Sequence, residues 1–237
     1  MTAALAGTTV NESAIVQITA GQRSFSLEFP HPDDHIARII RQTGTFYEAE
    51  MLNDLQSRLF FPSVAADIGA HVGNHTIFLA GVLGLTTYAF EPNPTNFSLL
   101  RSNLAANALQ DRCLVHNVAL GARRSQGTIE RVSNANSGMS RVRAAPGGSV
   151  EILSLDSAFA RLARLDVLKV DVEGGEIDVL RGAADTFRRL RPVAYLEVTP
   201  ENFGQASELL SSYGYLCWKR FNATATFLFL PKERLGR

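Results

Sequence analysis

The chain has 237 residues and a mass of 25.8 kDa, enough for one large domain or one domain with an appendage. Apolar residues make up 46% and charged residues 19%, a balance that excludes a disordered chain. Lys plus Arg is 23 and Asp plus Glu is 23, so no overall field draws the molecule onto nucleic acid or an anionic membrane.

In chain order, Ile15 to Ile18 and then Phe25, Leu27 and Phe29 alternate with polar residues around Ala20-Gly21-Gln22, which predicts a hairpin. Pro32-Asp33-Asp34 opens a helix whose Ile36, Ile39 and Ile40 share a face, and Thr43-Gly44 closes it. Tyr47, Met51, Leu52, Leu55 and Leu59 recur at three and four as a second helix, stopped by Pro62. These elements predict an N-terminal appendage over 1–60 and a main domain over 61–237. Short apolar strands at 64–68, 86–90, 113–118, 167–170 and 193–198 alternate with helices at 74–83, 94–107, 176–184 and 203–213. That alternation predicts an α/β, doubly wound, Rossmann-like, mostly parallel sheet. The strands 215–221 and 225–230 are separated only by 222–224, too short for a crossover, and predict a C-terminal antiparallel hairpin. Residues 125–154 read as a long excursion of loops.

The stretch 68–90 holds no Asp, Glu, Lys or Arg, but four glycines, two histidines and Asn74 make it a turn, helix and strand rather than a membrane span. The first sixteen residues lack Lys, Arg and a compact apolar core, so no secretory signal is expected. With Cys113 and Cys217 read as buried free thiols, a reducing, cytoplasmic setting is expected.

The strongest motif is a strand ending in Asp67 and turning through Gly69 and Gly73 into a helix. Glycines let a nucleotide-type cofactor approach the backbone at a helix start. A dinucleotide turn would use Gly-x-Gly-x-x-Gly to receive a pyrophosphate, whereas Asp67 beside this turn suits a cationic ligand. S-adenosylmethionine, with an ammonium, a sulfonium and no phosphate, fits better than NAD. Glu91 follows the next strand, 22 positions beyond Gly69, where a carboxylate accepts from both ribose hydroxyls.

With these residues in place the sequence resembles the FkbM-type methyltransferases of the class I S-adenosylmethionine-dependent group. The resemblance rests on Phe46-Tyr47-Glu48, the run from Asp67 to Thr76, Phe90-Glu-Pro-Asn-Pro-Thr-Asn96, Asn117-Val-Ala-Leu-Gly121, Leu168-Lys-Val-Asp-Val-Glu-Gly174 and Leu196-Glu197. It implies that Asp67, Gly69 and Gly73 hold the methionine end, Glu91 the ribose, and Asn117, Val118 and Ala119 the adenine edge. Asn74, Tyr47 and Glu48 are weaker candidates for the amino-acid tail, and Asn96 for the adenosine. The resemblance also implies methyl transfer to an acceptor hydroxyl on a small molecule or a sugar- or polyketide-type acceptor, and the balanced charge points to no nucleic acid and no membrane as partner.

The run Lys169-Val-Asp171-Val-Glu173-Gly174-Gly175-Glu176 places carboxylates at the carboxyl end of a central strand, where doubly wound folds bind ligands. A carboxylate there can take the proton of an acceptor hydroxyl. Asp171 is the first choice as base, then Glu173, then Glu197 after the following strand; Glu176 is read as favouring a helix N-terminus. A magnesium site is an alternative use of such a cluster. His71 and His75 are four apart but are not read as a metal pair, and His116 is read as a core histidine. The arginines at 123–124 and 188–191 are read as solvated, and the polar loop with Asn134, Asn136, Ser137 and Gly138 as either a sugar contact or plain surface. A non-catalytic S-adenosylmethionine-binding module and an NAD-dependent oxidoreductase remain the alternative functions.

Overall fold

The computed structural model describes residues 14–59, 63–131, 140–221 and 225–234. Strands β1 (Ala14–Ala20) and β2 (Arg23–Phe29) form an antiparallel hairpin, closed at Gly21 with φ of 60°. Its period of two buries Val16, Ile18, Phe25, Leu27 and Phe29 on one face. Helix α1 (His35–Thr43) begins where the Asp34 carboxylate accepts the Ile36 amide at 2.9 Å and the Ala37 amide at 3.3 Å, and ends at left-handed Gly44. Asp34→Ala is expected to lower stability by about 1 kcal/mol, read as a shift in urea midpoint, because those two amides lose their acceptor. Helix α2 (Ala49–Arg58) follows, and Pro62, its predicted stop, lies outside the described residues.

The main sheet then builds as β3 (Val64–Ile68), α3 (Asn74–Ile77), β4 (Thr86–Phe90), α4 (Pro94–Ala106) and β5 (Cys113–His116). A short β6 (Ala119–Leu120) leads into β7 (Ser125–Arg131), β8 (Ser140–Ala144) and β9 (Val150–Leu153). After α5 (Leu155–Ala158) come β10 (Val167–Val170), α6 (Glu176–Arg181), α7 (Ala184–Leu190), β11 (Val193–Glu197), α8 (Pro200–Ser212), β12 (Tyr215–Phe221) and β13 (Thr226–Pro231). The seven-stranded sheet has the order β12-β13-β11-β10-β3-β4-β5. Strands β11 to β5 are parallel and β13 runs antiparallel to both its neighbours. This is the Rossmann-like sheet with its terminal hairpin that the strand spacing predicts, although residues 222–224 themselves lie outside the described ones. One face of the sheet packs on the N-terminal hairpin and α1 to α4, the other on α5 to α8.

The chain leaves β3 toward β4 and β5 and later returns to β10 on its other side, so the order reverses between β3 and β10. A crevice opens at such a reversal, above the carboxyl ends of the strands.

Several expectations change. The described residues of 125–154 carry β7, β8 and β9, which with β6 form a second, four-stranded sheet in the order β6-β9-β7-β8, while the expected loop at Asn134, Asn136, Ser137 and Gly138 lies outside the described residues. The predicted helix 176–184 is two helices, because Gly182 presses on the backbone of Gly121, where a Cβ would collide with the carbonyl oxygen. Helix α3 continues as a π-turn, Phe78–Val82, whose Gly81 lies against the Phe25 ring. Cys113 is buried as expected, but Cys217 is exposed on edge strand β12. His116 is not a core residue: it ends β5, is exposed, and stacks on Phe90 with centroids 4.9 Å apart.

Candidate active site

The turn after β3 is shaped by the contact between two strand ends. Gly69 has φ of 82° and sits so close to the end of β10 that a Cβ would collide with the Asp171 carbonyl oxygen. The turn's amides are used internally: Gly69 and Ala70 both donate to the Phe90 carbonyl at 3.0 Å, and Gly73 donates to Ala70 at 2.9 Å. The His71 amide donates to Glu91 Oε2 at 2.9 Å, while the Asn93 amide donates to Glu91 Oε1 at 2.8 Å. Glu91 is therefore a buried, fixed carboxylate; burial pushes it up to about 7 even though both amides favour its charged form.

These residues wall a cleft of about 840 Å³ that opens to solvent. Gly69, Glu91, Asn96, Val118, Ala119 and Asp171 all line it. The other expected cofactor residues stand behind the wall. Asp67, expected beside a cationic ligand, is fully buried, accepting from Thr76 Oγ1 at 2.6 Å and facing Lys169 Nζ at 3.4 Å. Gly73, with φ of 103°, caps α3. Asn74 uses its amide on the Tyr47 backbone, accepting from N at 3.1 Å and donating to O at 3.3 Å, which clasps that segment to α3. Glu48 accepts from Thr226 Oγ1 at 3.2 Å and lies 3.2 Å from His75 Nε2. Asn117 is exposed and donates to the carbonyls of Glu91 at 2.8 Å and Pro92 at 3.2 Å, fixing the backbone that carries the acid.

A second cleft of about 800 Å³ adjoins the first and shares Asp171 and Glu173 with it. Glu176, Glu197 and Arg141 complete its charged lining. The pleat of β8 spans both: Ser140 and Val142 line the first cleft and Arg141 the second. Burial, then Asp171 and Glu176, push Glu173 up to about 7. Burial, then Asp171 and Glu48, push Glu197 up to about 8. Glu176 heads α6, as expected, and accepts the Gly174 amide at 2.7 Å; burial raises it. The Tyr47 hydroxyl is raised to about 12 by burial and then by Glu48, Glu197, Asp171 and Glu173. Glu48, His71 and Glu173 all adopt left-handed backbone, a strain that clusters at this end of the sheet.

Lys169 is the residue that sequence reasoning missed. It is buried, donates to the Gly69 carbonyl at 3.2 Å, and lies 3.4 Å from Asp67 and 3.3 Å from Asp171. Burial alone would lower it, but Asp67 and Asp171 hold the ammonium above the usual lysine range. A lone lysine inside the apolar run Val167–Val170 was the available signal, since a lysine there must find carboxylates.

Among the described residues no group of three or more His, Cys, Asp or Glu is placed to hold a metal ion, and no helix is long and apolar enough to cross a membrane.

Comparison with known proteins places these features. The hexuronic acid methyltransferase AglP of Haloferax volcanii is 29% identical over 128 residues, covering 52% of this chain and 50% of that protein. The chain thus spans about half the length of the curated relative it matches. The crystal structure of methyltransferase FkbM from Methylobacillus flagellatus KT superposes with a TM-score of 0.54 at 19% identity, over 73% of this chain and 45% of that one. The T. thermophilus 16S rRNA N2 G1207 methyltransferase, solved with AdoMet and guanosine, gives 0.55 at 19% identity, over 93% and 50%. Both structural likenesses show the fold. The family described as the methyltransferase FkbM domain matches residues 67–217, which hold most of the main sheet and all of the two clefts' lining but Ile36 and Ala225, and the chain belongs to that family.

Proposed function

We propose that the protein transfers the methyl group of S-adenosylmethionine to a hydroxyl of a small, sugar-like acceptor. The observation that carries this reading is the pair of adjoining clefts, which meet at Asp171 and Glu173 above the reversal of strand order. The residues fit the cofactor: Gly69 lines the first cleft with bare backbone, and Glu91 offers a buried carboxylate with lone pairs left for two ribose hydroxyls. The same turn suits a pyrophosphate poorly, because the amides of Gly69, Ala70, His71 and Gly73 are already spent inside the protein. In this reading Val118 and Ala119 border the adenine, Asn96 the adenosine, and Gly69 the methionine end. Asp67, Gly73, Asn74, Tyr47, Glu48 and Asn117 support the turn from behind. The hairpin and first two helices close the outer side, through Ile36, as an appendage to the main domain.

When bound, the cofactor supplies a methyl group already activated on a positively charged sulfur. The chain's part is to align the acceptor, which can lower a barrier by roughly 7 kcal/mol or more, and to remove the hydroxyl proton. Asp171 shares its carboxylate with Lys169, whereas Glu173 and Glu197 lie near neutral pH, so they suit the base role better. The hexuronic acid methyltransferase relative and a second cleft rich in hydroxyl acceptors support a sugar-like acceptor. An RNA acceptor, suggested by the ribosomal neighbour, fits less well: Asp171, Glu173, Glu176 and Glu197 would face its phosphates.

Calorimetric titration with S-adenosylhomocysteine, with NAD in parallel, tests the cofactor class. Micromolar binding of the first and none of the second is expected, and the reverse would remove the reading. Glu91→Ala should weaken S-adenosylhomocysteine binding by about 30-fold, or about 2 kcal/mol, through the lost ribose hydrogen bonds. Unchanged affinity in a folded variant would take the ribose from Glu91.

A further inference from the structure

The Glu173 and Glu197 carboxylates are half-buried and make no hydrogen bond or ion pair with the described residues, although Asp171 between them is tied to Lys169. Both stand in the second cleft, and Glu173 also borders the first. The groups facing them come from every neighbouring element. Asp171 and Lys169 belong to β10 and its end, Glu176 to α6, Glu48 and Tyr47 to the segment before α2, and Arg141 to β8. Glu48 itself lies 3.2 Å from His75 Nε2. Carboxylates thus outnumber the cations here, and any group passing between the clefts passes Asp171 and Glu173.

We propose that the second cleft's carboxylates Glu173 and Glu197 carry a proton when no methyl donor is present, and release it to solvent when a sulfonium occupies the adjoining cleft. This rests on the methyltransferase reading above. The positive sulfur replaces the proton as the charge that offsets the crowded carboxylates, so the base is made ready by the methyl donor and not by the spent thioether. The charges then balance through turnover. The acceptor oxygen forms its bond to the methyl carbon as the carbon–sulfur bond breaks, and the electron pair stays on sulfur. The hydroxyl proton passes to the Glu173–Glu197 pair, so the positive charge on sulfur and the negative charge on the carboxylates disappear together. The positions of the two groups, up to about 7 and about 8, make the exchange measurable near pH 7.5.

The test needs no acceptor. S-adenosylmethionine and S-adenosylhomocysteine are titrated into the intact protein at pH 7.5 in buffers of different ionisation enthalpy, which counts protons released on binding. The methionine compound should release about half to one proton more than the homocysteine compound. Contacts that the two ligands share cancel in that difference. The excess should vanish in Glu173→Gln/Glu197→Gln. Equal release for the two ligands in the wild type overturns the proposal, and so does an excess that survives in the double variant. Binding of neither ligand overturns the methyltransferase reading itself, and this proposal with it.

Discussion

Lys169→Met should lower unfolding free energy by about 4 kcal/mol, because breaking a buried ion pair leaves an uncompensated charge. Asp67 is fully buried and its second oxygen already belongs to Thr76, so it has no route to water once the ammonium is gone. The Gly69 carbonyl would lose its donor in the same variant. Urea unfolding measures the loss directly, and adding Asp67→Asn should return a large part of it, since the two sites are coupled. A loss below about 1 kcal/mol would mean that Lys169 is not the charge that holds Asp67.

The second large effect concerns Glu91 and pH. Its folded carboxyl lies at about 7, raised by burial from an ordinary 4.5. An acid raised in this way contributes stability below its unfolded value that is lost as pH climbs through the folded one. Between pH 5 and pH 8 the wild type should therefore lose about 3 kcal/mol from this group. Glu91→Gln cannot titrate. Whatever constant offset its amide brings, its stability relative to wild type should improve by about 3 kcal/mol over that interval. His71, held neutral by burial, works in the opposite sense as pH falls below about 6.5, but it is common to both proteins and cancels in the comparison. Parallel urea titrations at the two pH values read the difference, and a flat result would show that Glu91 is not desolvated.

Most of the fold was legible because its strands and helices differ strongly in period. The apolar runs of β3, β4, β10 and β11 and the short 222–224 link carry their own signatures. The second sheet was not legible, because its inward face is only Ile129, Val142, Val150 and Ile152 packed with Ala119, too thin an apolar signal among arginines, serines and glycines. The break at Gly182 depends on a distant backbone, Gly121, which no local pattern reveals. At the site, the glycine turn and Glu91 could be read because backbone geometry restricts which residues serve there. What spacing could not tell was which carboxylates face the clefts. Asp67 and Asp171 look alike in the sequence, and Lys169, standing in register with Asp67, decides that one is buried and the other half-open.

Strand β8 alternates between two tasks, with Ser140 and Val142 against the first cleft and Arg141 against the second. Because successive side chains of a strand point to opposite faces, a substitution at 141 reshapes one chamber while leaving its immediate neighbours' contacts in place. Under the proposed methyl-transfer reading, changes at 141 retune the acceptor chamber while Ser140 and Val142 keep the donor chamber's wall.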